Sequence, residues 1–183
     1  HSQHQVRMQL RDLLQVWIHR PAHVLFRFSL LRVIAKIGVA HHTVEMLPRE
    51  RPRYLMGVGM PEDLIEGVAR GIDLFDCVVP SRHGRTGWLF TGFGRVLIKQ
   101  ARYRSDERPI DPDCGCPVCK RYSRAYLHHL FNVKEMLGSR LNTIHNLWYF
   151  ADLMQRMRSA IERGALSAFR EEFYRLRAAA PFE

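Results

Sequence analysis

Apolar and polar positions follow two different periods along this 183-residue chain, and the changes of period mark its elements. Before Pro48 the run QVRMQLRDLLQVWIHR has the spacing of an amphipathic helix, while VLFRFSLLRVIAKIGVA fits helix or strand equally well. Neither carries evident chemistry. From Arg51 the pattern sharpens into one βαβ unit. RPRYLMGVG reads as a strand entering a glycine turn, and Pro61 suits the first position of a helix. Glu62 and Asp63 then favour the positive end of that helix's dipole. Leu64, Ile65 and Val68 give the helix an apolar stripe, and Gly71 can supply a left-handed C-cap. IDLFDCVV, almost continuously apolar, predicts a parallel strand covered on both faces and closed by Pro80.

Downstream, SRHGRTG reads as a basic turn, and WLFTGFGRVLIKQ as two short strands joined by Thr-Gly-Phe-Gly. Trp88 and Phe90 are expected in the core. Leu141, Ile144 and Trp148 recur at helical spacing around His145, which can therefore point inward. Met154 and Met157 read as core packing. The chain divides near Pro48, with residues 1–46 atypical, 47–104 forming βα units and 105–183 a metal-tied subdomain with terminal helices.

Cysteine spacing changes the picture most. Cys114-x-Cys116-x2-Cys119 followed by His145 matches a closed four-coordinate zinc site, where no position is left for a substrate. The expected ion is structural Zn2+. His128 and His129 compete as ligands, although adjacent helical residues point about 100° apart and could not both reach one ion. With a single further cysteine, Cys77, the arithmetic favours a reducing compartment, by default the cytoplasm, over a disulfide framework.

A formal charge of +10, carried mainly by arginine, makes nucleic acid the natural partner. No apolar run reaches a membrane span, because AHVLFRFSLLRVIAKIGVA is broken by Arg27, Arg32 and Lys36. The remaining candidate is Asp76. An unpaired carboxylate in an apolar strand is costly to bury, so Asp76 is either hydrogen-bonded for structural reasons or placed at an active site.

Three long segments, RPRYLMGVGMPEDLIEGVARGIDLFDCVVPSRHGR, CGCPVCKRYSRAYLHHL and RLNTIHNLWYFADLMQRMRSAI, resemble the carboxyl-terminal portion of the bacterial queuine tRNA-ribosyltransferases, or tRNA-guanine transglycosylases. The likeness runs from about Leu47 to Tyr174. It implies the last units of a (β/α)8 TIM barrel with an inserted zinc subdomain. It also implies a glycosyltransferase that exchanges guanine at the wobble position, position 34, of the tRNAs for Asp, Asn, His and Tyr. The incoming base would be a 7-deazaguanine (preQ1 or queuine), on the route to queuosine.

By position, the resemblance makes Asp76 the nucleophile of a covalent aspartyl-RNA intermediate and places Met56 beside the base pocket. Gly57, Val58, Gly59, Met60, Pro61, Glu62 and Asp63 match the segment that borders RNA. Ser81, Arg82, His83, Gly84 and Arg85 match the turn that recognises the wobble region, with serine where threonine is usual. Cys114, Cys116, Cys119 and His145 match the zinc ligands, and SRAYLHHL, with Tyr126 and His129, a homodimer surface.

Departures from the family are clear. A complete barrel takes about 250 residues. The family's other catalytic aspartate and its GGLxVGE base-binding motif have no counterpart, KIGVAHHTVEM being the nearest segment. The expectation is a truncated copy, inactive alone, that begins inside a longer reading frame and whose residues 1–46 are not native barrel sequence. A noncatalytic zinc-containing tRNA-binding module, or one dimerising through a helix over 122–138, is the alternative.

Overall fold

Tyr54–Met56 forms β1, and in the computed structural model, which describes residues 44–179, it pairs in parallel with β2, Leu74–Asp76. The expectations for the runs QVRMQLRDLLQVWIHR and VLFRFSLLRVIAKIGVA lie outside the described residues. Between the two strands runs α1, Pro61–Ala69, with Pro61 in its first turn and Glu62 and Asp63 beside it, as the dipole favours. Leu64 and Ile65 are buried and Gly71 follows the cap at φ +86°, a conformation that costs glycine little. The βαβ unit is thus in place.

Two expectations for this region fail. β2 is only three residues long, and the described residues do not cover it on both faces: Leu74 and Asp76 are exposed, while Phe75 packs toward α1. Continuous apolarity marked a strand, but it could not tell which face the described residues would cover. Nor is SRHGR a turn. Val79–Arg85 forms a helix, α2, with Pro80 in its first turn, where a missing N–H is tolerated, and Arg82 N–H donating to Val78 O at 2.8 Å. β2 has already ended at Asp76, and Pro80 opens the helix that follows rather than closing the strand.

β3 (Trp88–Thr91) and β4 (Gly94–Leu97) form the antiparallel hairpin that alternation predicted. A 3-10 turn, Ala101–Tyr103, leads into the cysteine loop, and three features of the helical end follow. α3 spans Arg124–Asn132, capped by the Ser123 hydroxyl accepting from Tyr126 N–H. α4 spans Met136–Glu162, about 40 Å of helix, and α5 spans Leu166–Ala179. A continuous helix over 122–138 is therefore not present: the chain turns at Lys134, whose φ is +58°, and Glu135 caps α4.

α4 is the spine. One side of it packs on the hairpin and the cysteine loop, burying Leu89, Val96, Ile98, Ile110, Val118 and Leu127. Its later turns gather Phe90, Tyr149, Phe150, Leu153 and Met157 with α1 residues Leu64 and Ile65. Phe90 is in the core as expected, stacking on Tyr149 and meeting Phe150 edge-on. Trp88 is only partly buried, packed against that cluster.

Candidate functional site

The metal centre is assembled from two elements that the sequence separates widely. The loop after Ile110 is shaped by Asp111, whose carboxylate accepts from Gly92 N–H at 2.8 Å and Asp113 N–H at 3.0 Å. Its carbonyl also accepts from Cys114 N–H. That single aspartate ties the hairpin tip to the start of the cysteine run. From α4, fully buried His145 reaches the same point. The three sulfurs and one imidazole nitrogen all lie within 4.8 Å of one another, and His145 Nδ1 is 3.4 Å from both Cys116 Sγ and Cys119 Sγ and 3.9 Å from Cys114 Sγ.

These residues fit a metal on their own geometry. A tetrahedral zinc with Zn–S of about 2.3 Å and Zn–N of about 2.0 Å separates sulfur from nitrogen by about 3.5 Å. The tautomer fits too. His145 Nε2–H donates to Phe90 O at 2.8 Å, which leaves the Nδ1 lone pair facing the sulfurs, the outer bond that metal-binding histidines ordinarily make. Burial works to lower the His145 pKa, but its bonds to Cys114 and Cys116 outweigh that and raise it to about 9, so Nδ1 gives up a proton to present its lone pair when a metal binds. The crowded thiols move apart in the same way: contact with Cys114 pushes Cys116 down, and contact with Cys114 and Cys116 pushes Cys119 up. Sulfurs this close do not all keep protons, and a divalent cation satisfies them together.

The competing histidines are elsewhere. His128 Nδ1–H donates to Ile98 O at 2.7 Å and its Nε2 accepts from Asn132, so it fastens α3 to the hairpin; His129 is exposed. Trp148 departs from expectation. It is 46% exposed rather than inward, and its ring lies where a Cβ at Gly115 would meet it at 3.9 Å, because the residue one turn beyond His145 overlies the loop's rim.

The second group of residues lies at the carboxyl end of the parallel strands. Asp76, the last residue of β2, is exposed and stands beside Met56 in register. Gly57 N–H, at φ +69°, donates to both the Asp76 carbonyl at 3.0 Å and its Oδ1 at 3.1 Å. Tyr54 shares the face, and hydrogen bonding to the Asp76 carboxylate is the chief cause of a phenol pKa raised above 10.0. Neighbouring Cys77 is held as a thiol, pushed up by burial and by Asp76 and Asp63. Among the described residues, Asp76 is exposed apart from these partners.

The residues matched to RNA contact divide by accessibility. Met56, Gly57, Arg82 and Arg85 are exposed; Val58, Met60, Glu62, Ser81 and His83 are half-buried; Gly59, Pro61, Asp63 and Gly84 are buried. Glu62 is engaged by Arg177 of α5 at 2.7 Å, and Ser81 Oγ donates to Val78 O within the first turn of α2. His83 stacks on Trp88 with centroids 4.4 Å apart, and burial, then Arg82, lowers its pKa. Arg95 lies over the Trp88 ring at 4.7 Å.

Sequence reasoning missed Tyr54, Asp111 and Asn146. A DPD triplet directly before the first cysteine was an available signal for Asp111, since aspartate there favours Asx turns. Nothing in the pattern set Tyr54 or Asn146 apart from core residues.

A βαβ unit with a strand-end aspartate, joined to a three-cysteine, one-histidine metal-binding set, defines an α/β chain with a metal-tied subdomain. A family model described as queuine tRNA-ribosyltransferase matches residues 33–179, and the chain belongs to that family. It is 56% identical over 142 residues to the queuine tRNA-ribosyltransferase of Herminiimonas arsenicoxydans, covering 78% of this chain and 38% of the relative. To that of Chromobacterium violaceum it is 58% identical over 134 residues, covering 73% and 36%. To that of Ralstonia pickettii it is 57% identical over 135 residues, covering 74% and 35%. The chain thus spans little more than a third of these relatives' length.

Proposed function

We propose that this chain supplies the nucleophile strand, the wobble-recognition helix and the zinc subdomain of a tRNA-guanine transglycosylase built on a (β/α)8 barrel. The observation that carries the reading is an exposed Asp76 at the carboxyl end of a parallel strand, where barrel enzymes keep their chemistry, in a chain of this family.

Asp76 Oδ attacks C1′ of the wobble guanosine as the C1′–N9 bond breaks, and the departing guanine takes the bond's electron pair and is protonated from water. Charge on the sugar is met by the carboxylate, and the covalent ester preserves the face for return, as in retaining glycosidases. N9 of the 7-deazaguanine then attacks C1′, releasing the Asp76 carboxylate and giving up its proton. Gly57 N–H and Tyr54 orient the carboxylate. Met56 lies beside the base, and Arg82 and Arg85 face the RNA backbone, a role guanidinium groups fill well. Cys114, Cys116, Cys119 and His145 would hold a zinc ion that supplies structure and no chemistry. A second copy docks on α3 around Tyr126, which is 39% exposed, and His129. No described helix is long and apolar enough to cross a membrane.

The test uses the whole protein that carries these residues, with an anticodon stem-loop RNA bearing guanine at the wobble position. The unaltered protein forms a denaturation-resistant RNA adduct and Asp76→Asn does not. An adduct that survives Asp76→Asn removes Asp76 from the chemistry. Salt-sensitive RNA binding with no adduct and no base exchange favours the noncatalytic module instead.

A further inference from the structure

Asn146 follows the metal-ligating His145 on α4 and is itself fully buried, yet it touches none of the sulfurs. Its amide is used completely by distant backbone. Oδ1 accepts from Phe90 N–H at 3.1 Å, and Nδ2 donates to Pro80 O and to Trp88 O, both at 3.0 Å. Pro80 belongs to the first turn of α2, four residues after Asp76. One side chain therefore bridges the hairpin strand that His145 also holds and the helix that presents Arg82 and Arg85.

The other end of α2 is fixed as well. Gly84 lies so close to α4 that a Cβ there would meet the Thr143 backbone and hydroxyl at 2.8 Å. Thr143 and Asn146 are three residues apart and share a helix face, so α2 rests on one α4 stripe at two points. Between them lie the exposed arginine Arg82 and the His83–Trp88 stack. The hairpin strand, the metal-bearing helix and the arginine helix form one rigid assembly.

We propose that Asn146 is a positioning residue for RNA recognition, acting through Pro80 and the Trp88–Phe90 backbone to hold α2 so that Arg82 and Arg85 meet adjacent phosphates. The inference rests on the transglycosylase reading for its ligand. A buried amide with no such role would support folding alone, and the two roles differ in salt dependence. For single strands, each lost phosphate contact reduces the slope of log K against log salt by about 0.7. Releasing both arginines reduces it by about 1.4. Partial unfolding lowers apparent affinity without changing the slope.

Asn146→Ala and Gly84→Ala, in the zinc-loaded full protein, disturb the two contacts independently. Binding of the anticodon stem-loop is measured across a salt series, alongside zinc content and amide hydrogen exchange over residues 78–86. Asn142→Ala is the control, since Asn142 is equally buried one turn earlier and its side chain makes no hydrogen bond among the described residues. Both test variants are expected to retain zinc, to exchange at least tenfold faster over 78–86 and to lose the same slope as Arg82→Ala/Arg85→Ala. Adding Asn146→Ala to that double variant then changes the slope no further. The control keeps the wild-type slope. Unchanged exchange over 78–86, or weaker binding at an unchanged slope, overturns the inference alone. An unaltered protein that binds no RNA overturns the transglycosylase reading.

Discussion

The cysteine–histidine end and the Asp76 end of this chain differ in how far the described residues bury them. Around the cysteine loop, Leu89, Ile98, Ile110, Leu127 and His145 have no exposed surface, and the polar groups of His128, His145 and Asn146 are bonded to backbone. At β1 and β2 the sheet has two strands, and the face that carries Asp76 also shows Tyr54, Met56 and Leu74 at 53%, 70% and 53% exposure. Among the described residues, burial is concentrated where the four candidate ligands meet, and the face that carries Asp76 stays exposed. What joins them is α4 with Phe90, whose ring enters one core while its N–H and carbonyl belong to Asn146 and His145.

Metal removal breaks this comparison most strongly. Structural zinc supplies about 10–16 kcal/mol of apparent binding free energy in small domains at neutral pH, more than the core of a subdomain this small provides. Chelation, or Cys116→Ser, is expected to abolish hydrogen-exchange protection over residues 88–122 while β1, α1 and β2 keep theirs. Equal loss at both ends means the two are one cooperative unit, and the contrast between them fails.

Phe90→Ala comes next. Removing a fully buried phenyl costs about 3–5 kcal/mol, and its ring contacts Tyr149 and Phe150 from α4. Because the backbone bonds of residue 90 survive the change, zinc stoichiometry is expected to hold while thermal stability falls. Metal loss in this variant indicates that the ring, rather than the peptide, supports His145.

Alternation and spacing made much of this architecture readable in advance. The βαβ unit, the TGFG hairpin and the cysteine–histidine set each depend on local periodicity or on ligand chemistry, which sequence carries directly. Failures came where one residue serves either of two elements. A proline after an apolar run can close a strand or open a helix, and Pro80, four residues beyond the end of β2, stands in the first turn of a helix whose Gly84 packs against Thr143. Leu74 looks like core because leucine usually is, yet exposure depends on which neighbours cover the face. Asn146 has no pattern at all, since its three backbone partners lie 56 to 66 residues away.

A smaller effect is expected at the junction of α1 and α5. Glu66 accepts from Arg170 at 2.6 Å, from Tyr174 at 3.0 Å and from Arg70, and burial is opposed by these partners so that its pKa lies below the ordinary 4.5. A depressed folded pKa contributes stability that is complete above 4.5 and disappears as pH falls through the lower folded value. Glu66→Gln therefore costs about 1–2 kcal/mol at pH 7, the partly exposed arginines limiting it, and little at a pH below the folded value. Denaturant titrations at both pH values check the difference, and an equal cost at each removes the ion pairs from the account.

The smallest change addresses the open face itself. Leu74→Thr keeps a residue suited to a strand and removes an apolar side chain that is half in water. With only the described residues around it, the exposed half of that side chain gains nothing from folding, so the expected cost stays within about 0.5 kcal/mol. If another segment or another chain seats on Tyr54, Met56 and Leu74 in solution, the same substitution removes buried area and costs about 1.5–3 kcal/mol. Denaturant midpoints for the wild type and Leu74→Thr, measured at two protein concentrations, separate these outcomes. A large cost that grows with concentration identifies a second chain on the face, a large cost independent of concentration identifies a segment of the same chain, and a negligible cost means that the face beside Asp76 stays open in solution.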